Sequence, residues 1–119
     1  MAHRLKTEIW VQAQVRRCFI ENTPAFIVAR GDSERGGILL KINHFKNGCE
    51  ILQPITDMNG DRVWMRLTGD ALVDEGEADE IVCRRRQHDS DLWVVEIEDA
   101  GGNFNIEHFL DEPVDKASI

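Results

Sequence analysis

Five acidic side chains and one histidine lie close together near the C-terminal end of the sequence. They are His88, Asp89, Asp91, Glu96, Glu98 and Asp99. Carboxylates with a histidine are the groups that hold Mg²⁺ or Mn²⁺ for hydrolysis. In a strand that rises ~3.3 Å per residue the outer carboxylates lie roughly 25 Å apart, so only Glu96 and Glu98 can converge on one face. A metal-dependent hydrolase that uses Glu96 and Glu98 is one interpretation. A solvated strand end accounts for the pattern better, because charged side chains are mostly exposed.

A glycine-bearing loop lies beside an arginine between residues 30 and 37. Arg30-Gly31-Asp32 is followed by Gly36-Gly37, and such a loop could cradle a phosphate or a carboxylate. The spacing is not that of a phosphate-binding loop, which requires Gly-x-x-x-x-Gly-Lys followed by Ser or Thr at the start of a helix. A strand is predicted to follow here, so glycines that supply turn dihedrals are the favoured interpretation.

Arginines form a third candidate, as the pair Arg16-Arg17 and the run Arg84-Arg85-Arg86. Together they could form a basic patch for nucleic acid or for an acidic partner. The formal net charge is −8, however, and residues 70–119 carry fifteen acidic and four basic side chains. Nucleic-acid affinity depends on neutralising phosphates with lysine and arginine, so this charge disfavours nucleic acid as a partner.

No catalytic set can be assembled from the other nucleophiles and bases. Tyrosine is absent, the four histidines are scattered, and no serine has the glycine context of a nucleophile elbow. The three cysteines, Cys18, Cys49 and Cys83, are too widely spaced for a thiolate zinc site and predict free thiols that fill small apolar spaces. We therefore expect no catalytic residue, no metal site and no cofactor.

The composition indicates the class of protein that carries these residues. The 119 residues are 42% hydrophobic with a mean hydropathy of −0.36, which is enough for one hydrophobic core. No apolar run approaches the ~20 residues of a membrane span, and no apolar segment follows the basic N-terminus as it does in a secretion signal. We expect one domain over residues 1–110, a flexible tail over residues 111–119, no membrane contact and a cytoplasmic location.

The first helix is predicted from about Thr7 to Glu21, because apolar residues recur on one arc at ~100° per residue. These residues are Leu5, Ile9, Ala13, Phe19 and Ile20. Arg16 projects near the middle of the arc, where a guanidinium needs a partner. We therefore expect Arg16 to form a buried ion pair, with Glu96 or Asp99 as candidates.

The opposite, polar face of this helix carries Trp10, Gln14 and Arg17. An exposed tryptophan indicates an interface, so these three residues are the predicted binding surface. The alternative is that the sheet and the tail cover the helix on two sides and bury Trp10 without any partner.

Four strands are predicted after the first helix, over residues 25–29, 38–45, 49–52 and 62–67, and Asn47-Gly48 favours a tight hairpin. A second helix is expected over residues 75–88, with acids at its start and arginines near its end. A strand at residues 91–99 and an edge strand at 104–110 follow. The prediction is an α+β fold with a single antiparallel sheet: a meander over residues 25–67, one or two C-terminal strands, and two helices packed on one face.

The strand at residues 91–99 is expected to hold the sheet together. Trp93, Val95 and Ile97 share one face, whereas Leu92, Val94, Glu96 and Glu98 share the other. Residues 92–95 are therefore apolar on both faces, as in a strand that lies inside a sheet.

Several segments occur in an order and spacing that match a known family. They are residues 4–13, Arg16-Arg17, Pro24-Ala25, Arg30-Gly31-Asp32, Gly37 and residues 89–99. Over nearly its whole length the chain thereby resembles the domain-of-unknown-function family 1491. The resemblance implies a small bacterial cytosolic protein. Because the family has no assigned activity, it supplies no functional residues.

These observations predict a small non-enzymatic interaction or accessory module. It would bind a protein partner, or a second copy of itself, through the face that carries Trp10, Gln14 and Arg17. A hydrolase that uses Glu96 and Glu98, and a weak nucleic-acid binder that uses Arg16, Arg17 and residues 84–86, remain the alternatives.

Overall fold

A computed structural model describes residues 6–106, which form two α-helices and five β-strands. In chain order these are α1 Thr7–Ile20, β1 Ala25–Ala29, β2 Ile38–Asn43, β3 Cys49–Thr56, β4 Arg62–Arg66, α2 Glu75–His88 and β5 Trp93–Glu98. The predicted extents of both helices are confirmed to within a residue. The predicted edge strand is absent over residues 104–106, and its remainder and the predicted tail lie outside the described residues.

The five strands form one mixed sheet in the order β1-β5-β2-β3-β4. β5 lies antiparallel to β1 and parallel to β2, and β2, β3 and β4 form an antiparallel meander. The predicted α+β class is confirmed, but the all-antiparallel sheet is wrong, and so is the inclusion of β1 in the meander. β5 takes the place between β1 and β2, as suits a strand that is apolar on both faces.

The loop between β1 and β2 crosses the start of β5. The backbone N–H of Asp32 donates to the carbonyl of Asp91, and the N–H of Trp93 donates to the carbonyl of Gly37. A Cβ at Gly31 would lie 2.0 Å from the Asp91 oxygen, and one at Gly36 would lie 2.3 Å from it. Neither glycine has a positive φ. The predicted role in turn dihedrals is therefore wrong, since these glycines serve a close approach between two backbones.

The two helices lie on opposite faces of the sheet. Leu40 and Ile42 of β2 join the core cluster that contains Trp10 and Val11 of α1, whereas Leu39 lies in a second cluster with Val82 of α2. The prediction that both helices share one face is wrong. All six residues of β2 are buried, and a strand buried on both sides needs a cover on each face.

The buried side of α1 is nearly opposite to the predicted one. It consists of Thr7, Trp10, Val11, Gln14 and Cys18, whose spacing of three, one, three and four residues defines a single helix face. Trp10 is 4% exposed and Gln14 is 6% exposed, so the predicted exposure of these two residues is wrong. The alternative, in which the sheet covers this face and buries Trp10, is confirmed. Trp10 offers the sheet more apolar surface than Ile9 does, which favours this orientation.

Neither helix of the described residues is long and apolar enough to cross a bilayer.

Candidate functional site

The outer side of α1 carries Ile9, Ala13, Arg16 and Ile20, at spacings of four, three and four residues. All four are exposed, and Ile20 retains 74% of its surface. This is the arc that the sequence predicted to be buried; Leu5, its remaining N-terminal member, lies outside the described residues. Because the helix is turned, Arg16 faces solvent, and the predicted buried ion pair with Glu96 or Asp99 is wrong.

The exposed apolar surface continues from α1 onto β1. The ring of Phe19 packs edge-on against the ring of Phe26, with 5.9 Å between the centroids, and both side chains remain about half exposed. Val28 is also exposed, because a bulge between Ile27 and Ala29 leaves it without a partner residue in β5. We call the set Ile9, Phe19, Ile20, Phe26 and Val28 the outer apolar surface.

The two edge strands of the sheet differ in charge. β4 carries an arginine at each end, Arg62 and Arg66, whereas β1 has the uncharged sequence Ala-Phe-Ile-Val-Ala. Charges protect an edge strand from pairing with another chain. On β1 the bulge at Val28 supplies the protection, because it interrupts the regular edge. The outer apolar surface is therefore suited to side-chain contacts more than to the addition of a strand.

On the α2 face of the sheet, three carboxylates surround one buried lysine. Lys41 Nζ lies 2.7 Å from Asp79 Oδ1, 2.8 Å from Glu75 Oε2 and 3.3 Å from Glu96 Oε1. Burial alone would lower the pKa of Lys41, but its hydrogen bonds to Asp79 and Glu75 and the charge of Glu96 outweigh it and raise the pKa above the usual lysine value. The ammonium therefore stays charged and fixes α2 to the sheet.

This cluster determines the contacts of Glu96. Glu96 contacts the ammonium of Lys41 and also accepts a 3.4 Å hydrogen bond from Asn43 Nδ2. A lysine thus occupies the place where a metal-binding Glu96 would hold its ion. Among residues 6–106, no three His, Cys, Asp or Glu side chains are arranged to hold a metal. The geometry gives no support to the hydrolase that uses Glu96 and Glu98.

The five arginines of the predicted basic patch do not meet. Arg16 and Arg17 lie on α1 and residues 84–86 on α2, with the sheet between the two helices. Arg86 has a structural role, because its guanidinium donates to the backbone carbonyls of Leu92, Arg30 and Ser90 at 3.1–3.3 Å. The arrangement gives no support to the nucleic-acid interpretation.

A cleft that the sequence did not single out lies on the α1 face of β2, β3 and β4. Its volume is about 380 Å³, and its lining is Ile42, His44, Glu50, Leu52, Trp64, Arg66, Asp99, Gly102, Phe104 and Ile106. Part of this cleft could have been predicted from the hairpin, because the pairing of β2 with β3 brings Glu50 beside His44. The segment after β5 then crosses this face and adds Asp99 and Phe104.

A chain of polar contacts runs along one side of the cleft. His44 Nε2 lies 2.9 Å from Glu50 Oε2, and His44 Nδ1 lies 3.3 Å from the backbone oxygen of Asp99. Arg66 Nε donates to the other oxygen of Glu50 at 3.3 Å. Both ring nitrogens of His44 are thus engaged, and the lining holds no serine, threonine or cysteine as a nucleophile. The cleft is suited to binding more than to covalent catalysis.

Both the sequence and the fold are similar to those of known proteins. A family model described as "Protein of unknown function (DUF1491)" matches residues 5–110. The crystal structure of a DUF1491 family protein from Caulobacter crescentus CB15 is similar, with a TM-score of 0.74 and 34% identity over 92% of this chain and 97% of that one. An NMR structure of a DUF1491 family protein from the same organism gives 0.73 and 33%, over 93% and 96%. The solution structure of protein Atu0922 from A. tumefaciens gives 0.66 and 30%, over 82% and 87%. No curated protein matches the chain.

Proposed function

The chain belongs to the DUF1491 family, which has no assigned function, and from this starting point we propose that it is a non-enzymatic interaction module that binds a partner protein through the outer side of α1. The observation that carries the proposal is the second apolar face of that helix. One face is buried under the sheet, whereas Ile9, Phe19 and Ile20 on other sides remain at least half exposed. Phe19 is in contact with Phe26, and exposed apolar side chains that group in this way mark interaction surfaces.

The charge near this surface indicates an acidic partner. Arg16 is exposed and lies three and four residues before Phe19 and Ile20, so it borders both on the helix surface. Residues 1–30 carry five basic and two acidic side chains, in contrast to the acidic C-terminal part of the chain. A partner segment that combines carboxylates with apolar side chains matches both features.

A symmetric dimer fits this surface less well. In a two-fold contact the same surface meets itself, so the Arg16 side chains of both copies would enter one contact. Like charges brought together at an interface are unfavourable. A different protein is therefore the proposed occupant, and we place the interaction in the bacterial cytoplasm, as the family resemblance implies.

Affinity capture from the cell in which the protein occurs tests the proposal. We expect a specific protein to be retained by the native chain and lost from Ile20→Glu and Phe26→Glu variants, since each places a carboxylate within the outer apolar surface. Met58→Glu is the matched control, because Met58 is fully exposed in the turn between β3 and β4. The segment of the partner that binds this surface should then contain both carboxylates and apolar side chains. Retention that the two surface variants do not alter contradicts the proposal.

A further inference from the structure

A second pocket, on the α2 face of the sheet, has a basic and apolar lining. Its volume is about 340 Å³, which is within the usual range for small-molecule sites, and it is lined by Leu67, Ile81, Arg84, Arg85 and His88. Leu67 directly follows β4, and the other four residues belong to α2. The described lining contains no carboxylate, although the chain carries a formal net charge of −8.

The spacing along α2 brings its four lining residues together. Ile81 lies one turn before both arginines, and His88 lies one turn after them, so all four are neighbours on one side of the helix. Side chains on a helix point back towards its N-terminus, which directs both arginines towards Ile81. The two guanidinium groups therefore border the same apolar side chain.

The positive charge of this pocket is not neutralised within the described part of the chain. Between residues 6 and 106, the side chains of Arg84 and Arg85 make no hydrogen bond or ion pair, and both are exposed. Arg86, the next residue, is used differently, because it donates to three backbone carbonyls. Two guanidinium groups thus keep their donors for a ligand.

These donors match a phosphate group. The planar fork of an arginine donates two parallel hydrogen bonds to phosphate oxygens, and a phosphate monoester carries about −1.5 to −2 charges at pH 7. Beside the arginines, Leu67 and Ile81 are only partly buried, so they offer apolar surface to the rest of a ligand.

We propose that this pocket binds a small phosphate monoester with an apolar body. The phosphate lies against Arg84 and Arg85, and the body lies on Leu67 and Ile81. This site is separate from the outer side of α1, because α1 and α2 lie on opposite faces of the sheet.

The charge around the pocket favours a small ligand over a nucleic acid. Residues 70–119 carry fifteen acidic and four basic side chains. A strand with many phosphates would extend beyond the two arginines and meet this acidic part of the chain, whereas a single phosphate would not.

Three probes test the two halves of the proposed ligand: phenyl phosphate, inorganic phosphate and phenol. Binding to the full chain is measured at pH 7.5 and low ionic strength, in a buffer without phosphate, by backbone amide NMR titration. We expect phenyl phosphate to bind about tenfold more tightly than inorganic phosphate, which lacks the apolar body, and than phenol, which lacks the charge. The largest shifts should occur at Leu67, Ile81 and residues 84–88.

Substitution of the arginines tests their role. We expect Arg84→Gln and Arg85→Gln each to weaken the binding of phenyl phosphate about threefold, and the double variant about tenfold. Replacing both by lysine keeps the charge without the fork and should weaken binding less than the double glutamine variant. Arg35→Gln is the control, because it removes the same charge from an exposed position in the loop between β1 and β2 and should leave the affinity unchanged.

Several outcomes would overturn the proposal. These are binding of phenol or inorganic phosphate as tight as that of phenyl phosphate, no binding of phenyl phosphate at millimolar concentration, and shifts confined to another part of the chain. An equal loss of affinity in Arg35→Gln would reduce the effect to net charge and would also overturn it. So would tighter binding of a single-stranded oligonucleotide at the same residues. Because both arginines are exposed, the variants should keep the native amide spectrum, which is recorded for each.

Discussion

Lys41 Nζ lies 2.7 Å from Asp79 Oδ1, and this contact joins a central strand of the sheet to α2. Ala78 is the one residue of α2 that is fully buried, and Ile81 and Val82 are partly buried against the sheet. At the other end of α2, Arg86 binds three backbone carbonyls. Polar contacts near both ends of α2 therefore add to an apolar contact that is smaller than that of α1.

Replacing Lys41 by methionine should weaken this attachment. The substitution leaves Glu96 close to Glu75 and Asp79 without a cation. Because the side chains of Glu75 and Asp79 are more than half exposed and can turn towards water, we expect a loss of about 2 kcal/mol in the free energy of unfolding, below the range for fully buried pairs. Urea denaturation at pH 7 measures it. Lys46→Met, at an exposed lysine, is the control, and an equal loss there would contradict the explanation.

The stabilisation by Lys41 should disappear at alkaline pH. Its pKa is raised in the folded protein, so the contribution is fully present below the pKa of an unfolded lysine and is lost as the pH rises through the folded value. The difference in unfolding free energy between the native protein and Lys41→Met should be equal at pH 7 and pH 9. It should then shrink above about pH 10.4, by at most about 1.4 kcal/mol per pH unit. A difference that already falls between pH 7 and pH 9 would show another group to be responsible.

Gly31 should not tolerate a methyl group. An added Cβ would lie 2.0 Å from the backbone oxygen of Asp91, so the loop and the start of β5 would have to separate. We expect Gly31→Ala to lower the free energy of unfolding by about 3 kcal/mol. Gly76→Ala in α2 is the comparison. There the nearest atom to the new Cβ is Asp74 Oδ1 at 3.4 Å, and higher helix propensity should raise stability by about 0.5–1 kcal/mol. Similar losses at both positions would contradict this account.

The three cysteines should differ in reactivity. Cys83 is exposed on α2, whereas Cys18 and Cys49 are buried. Burial, and then the charge of Glu21, raise the pKa of the Cys18 thiol to about 11, and burial also raises the pKa of Cys49. Because the thiolate is the reactive form, we expect iodoacetamide at pH 7.5 to modify Cys83 alone until denaturant is added. Mass spectrometry of the peptides identifies the site, and rapid labelling of Cys18 in the native state would contradict the burial of α1.

The elements that local signals define were predictable from the sequence. Asp74 caps α2 by accepting a 2.8 Å bond from the N–H of Glu77, and acids and arginines mark the two ends of that helix. Asn47-Gly48 predicts the pairing of β2 with β3, which the structure confirms. The predicted tight turn is wrong, because residues 44–48, with a 3-10 helix at Phe45–Asn47, connect the two strands. The prediction that residues 92–95 are buried on both faces was also right, because alternation along a strand depends only on neighbouring residues.

What failed was the choice between competing partners. α1 has two faces with apolar residues, and the periodicity does not indicate which of them the sheet covers. The face that carries Trp10 is favoured by the size of that side chain and by the hydrogen bond from Thr7 Oγ1 to the carbonyl of Gly36. The site of insertion of β5 depends on contacts between residues far apart in the chain. The same holds for the cleft, whose side chains come from β2, β3, β4 and the segment after β5.

The position of β5 also has a consequence for how the chain folds during synthesis. β5 is the last of the described strands to be made, yet it lies between β1 and β2, which share no hydrogen bonds with each other in the described sheet. While the chain is growing, β1 and the meander have no common partner, and the surface of α1 that carries Trp10 has no complete sheet to cover. Such long-range closure is slow, because the intervening chain must be ordered first. The protein should therefore gain its native structure only after β5 has left the ribosome, and until then it exposes apolar surface of the kind that chaperones bind.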